Sequence, residues 1–170
     1  MPLTIYPWHQ QPWQQILQRR AALPHALLFK GREGIGKLDF VRKLAQSLAC
    51  LTPAIDGAAC GTCQSCRWFA AGHHPDYREM SPEAMRPAGV EQALAEGRKP
   101  RHEIIVDEVR ALQDFISLTA NHPNGKTIVV YPAETLNMNA ANALLKSLEE
   151  PPPSTRFMLV SHRPSYLPAT

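Results

Sequence analysis

Between a short apolar run, His25-Ala26-Leu27-Leu28-Phe29, and a helical pattern that begins at Leu38 lies the segment Gly31-Arg32-Glu33-Gly34-Ile35-Gly36-Lys37. A buried strand, a glycine turn and a helix in that order point to an α/β unit built on a parallel sheet. The spacing also matches G-x-x-x-x-G-K. In that pattern glycines let backbone N–H groups curl around phosphate oxygens, the helix N-terminus adds positive potential, and the lysine reaches the outer phosphates. Gly31, Gly34, Gly36 and Lys37 are therefore the candidate nucleotide-binding residues. Leu38 stands where the pattern needs a hydroxyl for Mg²⁺, so ATP binding is expected to be weak or absent. A glycine turn that binds nothing is the competing reading.

Downstream, the same alternation continues. Phe40, Val41, Leu44 and Leu48 have helical spacing, residues 76–80 read as a short edge strand, and Val109, Leu112, Phe115 and Ile116 mark a second long helix. Asn121-His122-Pro123-Asn124-Gly125 is turn chemistry. Residues 127–131 and 156–161 read as buried strands, and the helix over 139–150 is stopped by Pro151-Pro152-Pro153. Upstream, Trp8, Trp13, Ile16 and Leu17 suggest a short amphipathic helix ended by Leu23-Pro24. Residues 81–102 turn to Pro, Gly, Ala and charge, which predicts mostly loop with a short helix around 91–95. Arg98-Lys99-Pro100-Arg101-His102 within it reads as a solvated loop.

At 170 residues with 44% hydrophobic and 19% charged, the chain has material for one packed domain. The net charge of +3 is too mild to argue for nucleic-acid binding by itself. No apolar run approaches the ~20 residues a membrane span needs, and the start lacks the charged and apolar regions of a signal peptide. No membrane partner and a cytoplasmic home are expected.

Hydrolysis of a bound nucleotide would need carboxylates at a strand end to hold Mg²⁺ and activate water. Ile104-Ile105-Val106-Asp107-Glu108 looks like such a strand, but Asp107 leads straight into helical spacing and reads better as a first-turn carboxylate. The stronger strand ends in Tyr131-Pro132, with no acid there, and Glu134 lies beyond it. No catalytic residue is assigned.

Cys50-x₉-Cys60-x₂-Cys63-x₂-Cys66 offers four soft ligands on a helix end and a compact turn. Four thiolates suit a tetrahedral, structural Zn²⁺. An iron–sulfur cluster is the chemical rival, although there the fourth cysteine usually follows the triplet rather than preceding it. Unliganded or redox-active thiols are the third option. His73 and His74 are spare donors, more simply read as surface or packing side chains.

The glycine loop, the four cysteines and then Asn142-Ala143-Leu144-Leu145-Lys146-Ser147-Leu148-Glu149-Glu150-Pro151-Pro152, in this order, resemble the bacterial clamp-loader family of AAA+ proteins. Tyr6-Pro7-Trp8 and His74-Pro75-Asp76-Tyr77 are similar to its delta-prime branch. The resemblance covers nearly the whole chain, residues 81–102 least. It implies an AAA+ three-layer α/β/α domain over residues 1–170, with a zinc module at about 50–75 inserted after the glycine-loop helix. Tyr131 and Pro132 then fall where ATP-hydrolysing tau/gamma subunits carry Asp and Glu, and Ser161 falls near the sensor-1 position.

The implied role is that of a non-hydrolysing, stator-like subunit of the DNA polymerase III holoenzyme, a DNA-directed DNA polymerase and thus a nucleotidyltransferase. Tau/gamma and delta subunits would be its direct partners, and it would meet the sliding clamp and primed DNA through the complex. An ATP-hydrolysing motor subunit of the same ring, or a zinc-stabilised nucleic-acid binding module around Arg67, Trp68 and Phe69, are the alternatives. The resemblance also implies that the chain stops at Ala169-Thr170 just before a Ser-Arg-Cys motif, so that the last sheet strand, expected to pair with residues 26–29, would be absent.

Overall fold

The computed structural model describes residues 5–167; Ala169 and Thr170, on which the expectation about the chain end rests, lie outside them. Four parallel strands, β1 (Ala26–Lys30), β2 (Tyr77–Met80), β3 (Lys126–Val130) and β4 (Thr155–Ser161), pair in the order β1-β4-β3-β2. The register sets Ala26 beside Phe157, Ile128 beside Phe157 and Tyr77 beside Thr127. β3 is buried along its whole length, as a central strand covered on both faces must be.

Among the described residues six α-helices flank the sheet: α1 (Gln10–Gln18), α2 (Lys37–Ala49), α3 (Gln64–Ala70), α4 (Pro87–Ala95), α5 (Val106–Ser117) and α6 (Met138–Glu149). Strand alternation divides the core in two. Ile128, Val130 and Phe157 point to one face, where Val109, Leu112 and Ile116 of α5 and Leu144 of α6 meet them. Val129, Met158 and Val160 point to the other and pack on Phe40, Val41, Leu44 and Leu48 of α2. The result is the expected three-layer α/β/α arrangement.

Helix ends follow from local chemistry. The Asn137 side chain accepts from Ala140 N at 2.9 Å and starts α6, a cap worth about 1 kcal/mol. Glu108 accepts the Ile105 N–H at 3.1 Å in the first turn of α5, where Asp107 is exposed. The Asp107-Glu108 pair is thus helix chemistry and sits on no strand end.

Two stretches carry more structure than their composition suggests. Residues 81–102 hold a 3₁₀ turn (Glu83–Met85) and the nine-residue α4. Glu83 closes this excursion, accepting both Arg98 Nη atoms at 2.6 and 2.7 Å and Arg101 N at 3.0 Å. Arg98 is therefore an anchor rather than a solvated loop residue. The cysteine segment is not only a turn, since α3 carries Cys66 and is capped by Cys63, whose sulfur accepts from Cys66 N.

Candidate functional site

The carboxyl ends of β1, β3 and β4 open on one edge of the sheet, the usual location of ligand sites in open parallel sheets. Here the glycine loop runs from β1 into α2. Gly36 holds φ +81°, and a Cβ there would stand 2.4 Å from the Tyr6 ring. Tyr6 stacks on Trp8 with centroids 5.0 Å apart and planes 5° off parallel. Trp8 Nε1 donates to Ile35 O at 3.0 Å, and Tyr6 OH donates to Asp39 at 3.3 Å. An aromatic pair is thus pinned over the turn.

Lys37 is buried. Its ammonium has three N–H donors, and three acceptors of the protein meet it: Gly31 O at 2.7 Å, Arg32 O at 2.5 Å and His162 Nδ1 at 2.9 Å. Because Nδ1 accepts, the imidazole proton sits on Nε2, which donates to Tyr131 OH at 3.3 Å. Burial lowers the Lys37 pKa, with Glu134 and Glu33 opposing. Glu134 Oε1 accepts His162 N at 2.9 Å. Burial alone would raise the Glu134 carboxyl, but backbone N–H groups, Ser161 and His162 bring it below the ordinary range.

No side-chain oxygen stands at Leu38 or Pro132, and Tyr131 is turned to His162. Positions 38, 131 and 132 thus offer neither a carboxylate nor an aliphatic hydroxyl, and the Lys37 ammonium is engaged by acceptors of the protein. Of the four residues singled out by the motif, all lie at this edge; His162 and Tyr6, which close it, were not legible from the motif's spacing.

The cysteine group is the opposite case. The Sγ atoms of Cys50, Cys60, Cys63 and Cys66 all lie within 4.8 Å of one another. Cys50 to Cys63 is 3.9 Å and Cys60 to Cys66 is 4.0 Å, close to the edge of about 3.8 Å that a tetrahedron with 2.3 Å Zn–S bonds requires. This group can hold a metal ion, and its softness and size fit one structural zinc, whereas a polynuclear cluster would need its sulfurs further apart.

Cys50 caps the C-terminus of α2, and Cys60 and Cys63 lie on the connecting loop. Cys60 N donates to Cys50 Sγ at 3.3 Å, Cys63 N to Cys60 Sγ at 3.3 Å and Cys66 N to Cys63 Sγ at 3.4 Å. Such N–H···S bonds spread negative charge and orient the ligands. Hydrogen bonds from Thr52 Oγ1, Cys63 N and Thr62 bring the Cys60 thiol down to about 5. Burial pushes Cys50 and Cys66 up; deprotonation of those two is the step that a bound cation would favour.

His74 is no ligand. Its Nδ1 accepts Asp76 N at 3.1 Å, so its Nε2–H donates to Ser65 Oγ at 2.9 Å, and Ser65 in turn donates to Ala49 O. Asp76 accepts Asn121 N at 2.8 Å and His122 N at 2.9 Å. Trp68 packs on His122 and Phe69 on Tyr77. These contacts fasten the cysteine segment to the turn before β3, and they draw two of the three residues of a possible nucleic-acid face inward.

A family model described as DNA polymerase III, delta subunit, matches residues 9–170. The chain is 46% identical over 163 residues to a DNA polymerase III subunit delta' of Pseudomonas aeruginosa, covering 96% of this chain and 44% of that protein. It is 33% identical over 167 residues to a DNA polymerase III subunit delta' of Escherichia coli, covering 97% and 45%. The chain thus spans less than half the length of these relatives. Its backbone is similar to the crystal structure of a DNA polymerase III, gamma subunit-related protein from Thermotoga maritima, with TM-score 0.55, 19% identity, and coverage of 91% of this chain and 40% of that one. At that identity the likeness bears on fold, and the fold is the α/β fold of AAA+ clamp-loader subunits. Among the described residues no helix is long and apolar enough to cross a membrane.

Proposed function

Because the chain belongs to the DNA polymerase III delta' subunit family, we propose that it serves the clamp-loader complex as a non-hydrolysing, stator-like subunit. Its direct partners are tau/gamma and delta subunits, it meets the sliding clamp and primed DNA through them, and it works in the cytoplasm. Residues 5–167 act as one AAA+ domain, with the segment of about 50–75 as a zinc-held insert between α2 and β2.

The observation that carries the non-hydrolysing role is the closed accounting at Lys37, with three donors and three internal acceptors. A hydrogen bond to a charged group contributes roughly 1.5–3 kcal/mol. Turning Lys37 outward gives up these bonds, so phosphate contacts must first replace them before they add any affinity. With no oxygen at Leu38 or Pro132, Mg²⁺ cannot add the missing stabilisation. A motor subunit would need a hydroxyl at 38 and acids at 131 and 132.

Zinc on the four cysteines would supply structural rigidity. The chain's own contribution is to present four thiolates from a helix end, a loop and α3, with Ser65, His74 and Asp76 fixing that segment to the domain.

Calorimetric titration with ATP, in the presence and absence of Mg²⁺, tests the reading. Binding should be weaker than millimolar or undetectable, and Mg²⁺ should not strengthen it. Micromolar, Mg²⁺-enhanced binding would overturn the non-hydrolysing role.

A further inference from the structure

At the opposite edge of the sheet, where β3 and β4 begin, an open cleft of about 460 Å³ lies between the end of α1, the end of α2 and two loops. Arg20 and Arg156 line it together with Gln18, Asn124, Ser154 and Leu48, and no Asp or Glu lines it. Among the described residues neither guanidinium is ion-paired to a carboxylate, although other arginines are.

Both walls are built. Arg20 is gripped by the carbonyl end of α2 and by the cysteine loop: Nη2 donates to Ser47 O at 2.7 Å, and Nη1 donates to Ser47 Oγ at 3.1 Å and Gly57 O at 3.2 Å. Opposite it, Arg156 makes one hydrogen bond among the described residues, Nη1 to Asn124 O at 3.0 Å. A guanidinium carries five N–H donors in a planar fork, so most of the Arg156 fork faces the cleft or solvent. Asn124 is fixed in turn by donating to Cys50 O at 3.0 Å.

The loop before β4 is pressed onto the turn before β3. A Cβ on Gly125 would come within 2.1 Å of Ser154 O, and Lys126 N donates to that oxygen at 2.7 Å. Ser154 itself takes a left-handed conformation, φ 56°, which non-glycine residues rarely adopt without cause.

We propose that the cleft between Arg20 and Arg156 is a phosphate-binding site, separate from the glycine loop and walled by the ends of α1 and α2 and by the loops at Asn124 and Ser154. Two half-buried guanidiniums on opposite walls, without a carboxylate between them, are complementary to an oxyanion. In this site the Arg156 fork is the hydrogen-bonding group, and Arg20, whose Nη groups are taken by Ser47, Leu48 and Gly57, adds charge alone. The inference is independent of the role proposed above.

The test is a backbone-amide NMR titration of the zinc-loaded chain with inorganic pyrophosphate and, separately, with a short single-stranded oligonucleotide. Saturable shifts should centre on Asn124, Ser154 and Arg156. Arg156→Gln can still reach Asn124 O, and it should weaken binding about tenfold or more, while Lys37→Ala leaves it unchanged. If the oligonucleotide binds with the same Arg156 dependence, the phosphate is that of a nucleic-acid backbone; if pyrophosphate alone binds, it is a free phosphate compound. Shifts confined to the glycine loop, shifts that never saturate, or equal affinity in folded Arg156→Gln would overturn the site. Arg156→Lys, which keeps the charge and loses the fork, should fall between the two.

Discussion

In the cysteine segment four sulfurs converge within 4.8 Å, whereas in the glycine loop the one charged ligand the motif retains is held by three acceptors of the protein itself. Both regions match a spacing pattern that normally denotes a ligand. They differ in what their donors and acceptors are doing. Around the cysteines, backbone N–H groups and threonine hydroxyls point at sulfur and leave the space between the sulfurs to a cation. Around Lys37, the carbonyls of Gly31 and Arg32 and the imidazole of His162 accept from the ammonium, and Tyr6 lies against Gly36. A motif's spacing states what a backbone can present; the hydrogen-bond accounting decides whether it is still presented.

Replacing a ligand should separate the two regions most strongly. Cys66→Ser is expected to take the zinc content from one per chain to near none, measured by elemental analysis, and to expose the amides of residues 50–75 to hydrogen exchange before those of β3 and β4. Metal binding in isolated zinc peptides contributes roughly 10 kcal/mol or more of folding free energy, so the loss should be visible locally even though the sheet has its own core. Iron in the purified protein, or retention of zinc by the variant, would break the assignment.

Opening the glycine loop is the next largest effect. His162→Ala removes one of the three Lys37 acceptors and should strengthen phosphate binding at Gly34, Gly36 and Lys37 by about tenfold, the equivalent of one charge-assisted hydrogen bond. Unchanged affinity in a folded variant would mean that His162 does not hold the lysine.

The smallest effect lies in a third region, closed by the ion pairs of Glu83. Glu83 is drawn from its ordinary 4.5 down to about 2, first by Arg98 and then by the Arg101 N–H. A carboxyl with a depressed folded pKa stabilises the fold above its unfolded value and loses that contribution as protons return. Residues 81–102 should therefore loosen as pH falls from about 4.5 towards 2, and Glu83→Gln should show the loosening already at neutral pH and remove the acid dependence in that window. The protection factor of the α4 amides, corrected for the intrinsic pH dependence of exchange, is the readout; a protection factor independent of pH in the parent protein would contradict it.

Much of this was open to reading from the residues. Glycine turn, apolar runs and helical spacing place β1, α2, α5, β3, α6 and β4 within a residue or two, because each buries a pattern set by its own period. The four cysteines are legible because ligand number and softness are properties of residue type. What escapes is set by pairing across the chain. α3 is a seven-residue helix with too few apolar positions to signal itself, and it is fixed by Cys63, Cys66 and the Ser65–His74 bond. Arg98 reads as solvated until Glu83, fifteen positions away, closes on it. Likewise His162 lies 125 positions from Lys37, and no local spacing announces that the two meet at the ends of neighbouring strands.

The most direct test of the central contrast is steady-state ATP hydrolysis by the zinc-loaded protein with Mg²⁺, alongside Leu38→Thr, which restores the motif's hydroxyl but neither frees Lys37 nor supplies acids at 131 and 132. Neither protein should show a saturable, Mg²⁺-dependent rate. Turnover by the parent chain that saturates with ATP and is abolished by Lys37→Ala would show that the glycine loop is open and catalytic, and would contradict the account.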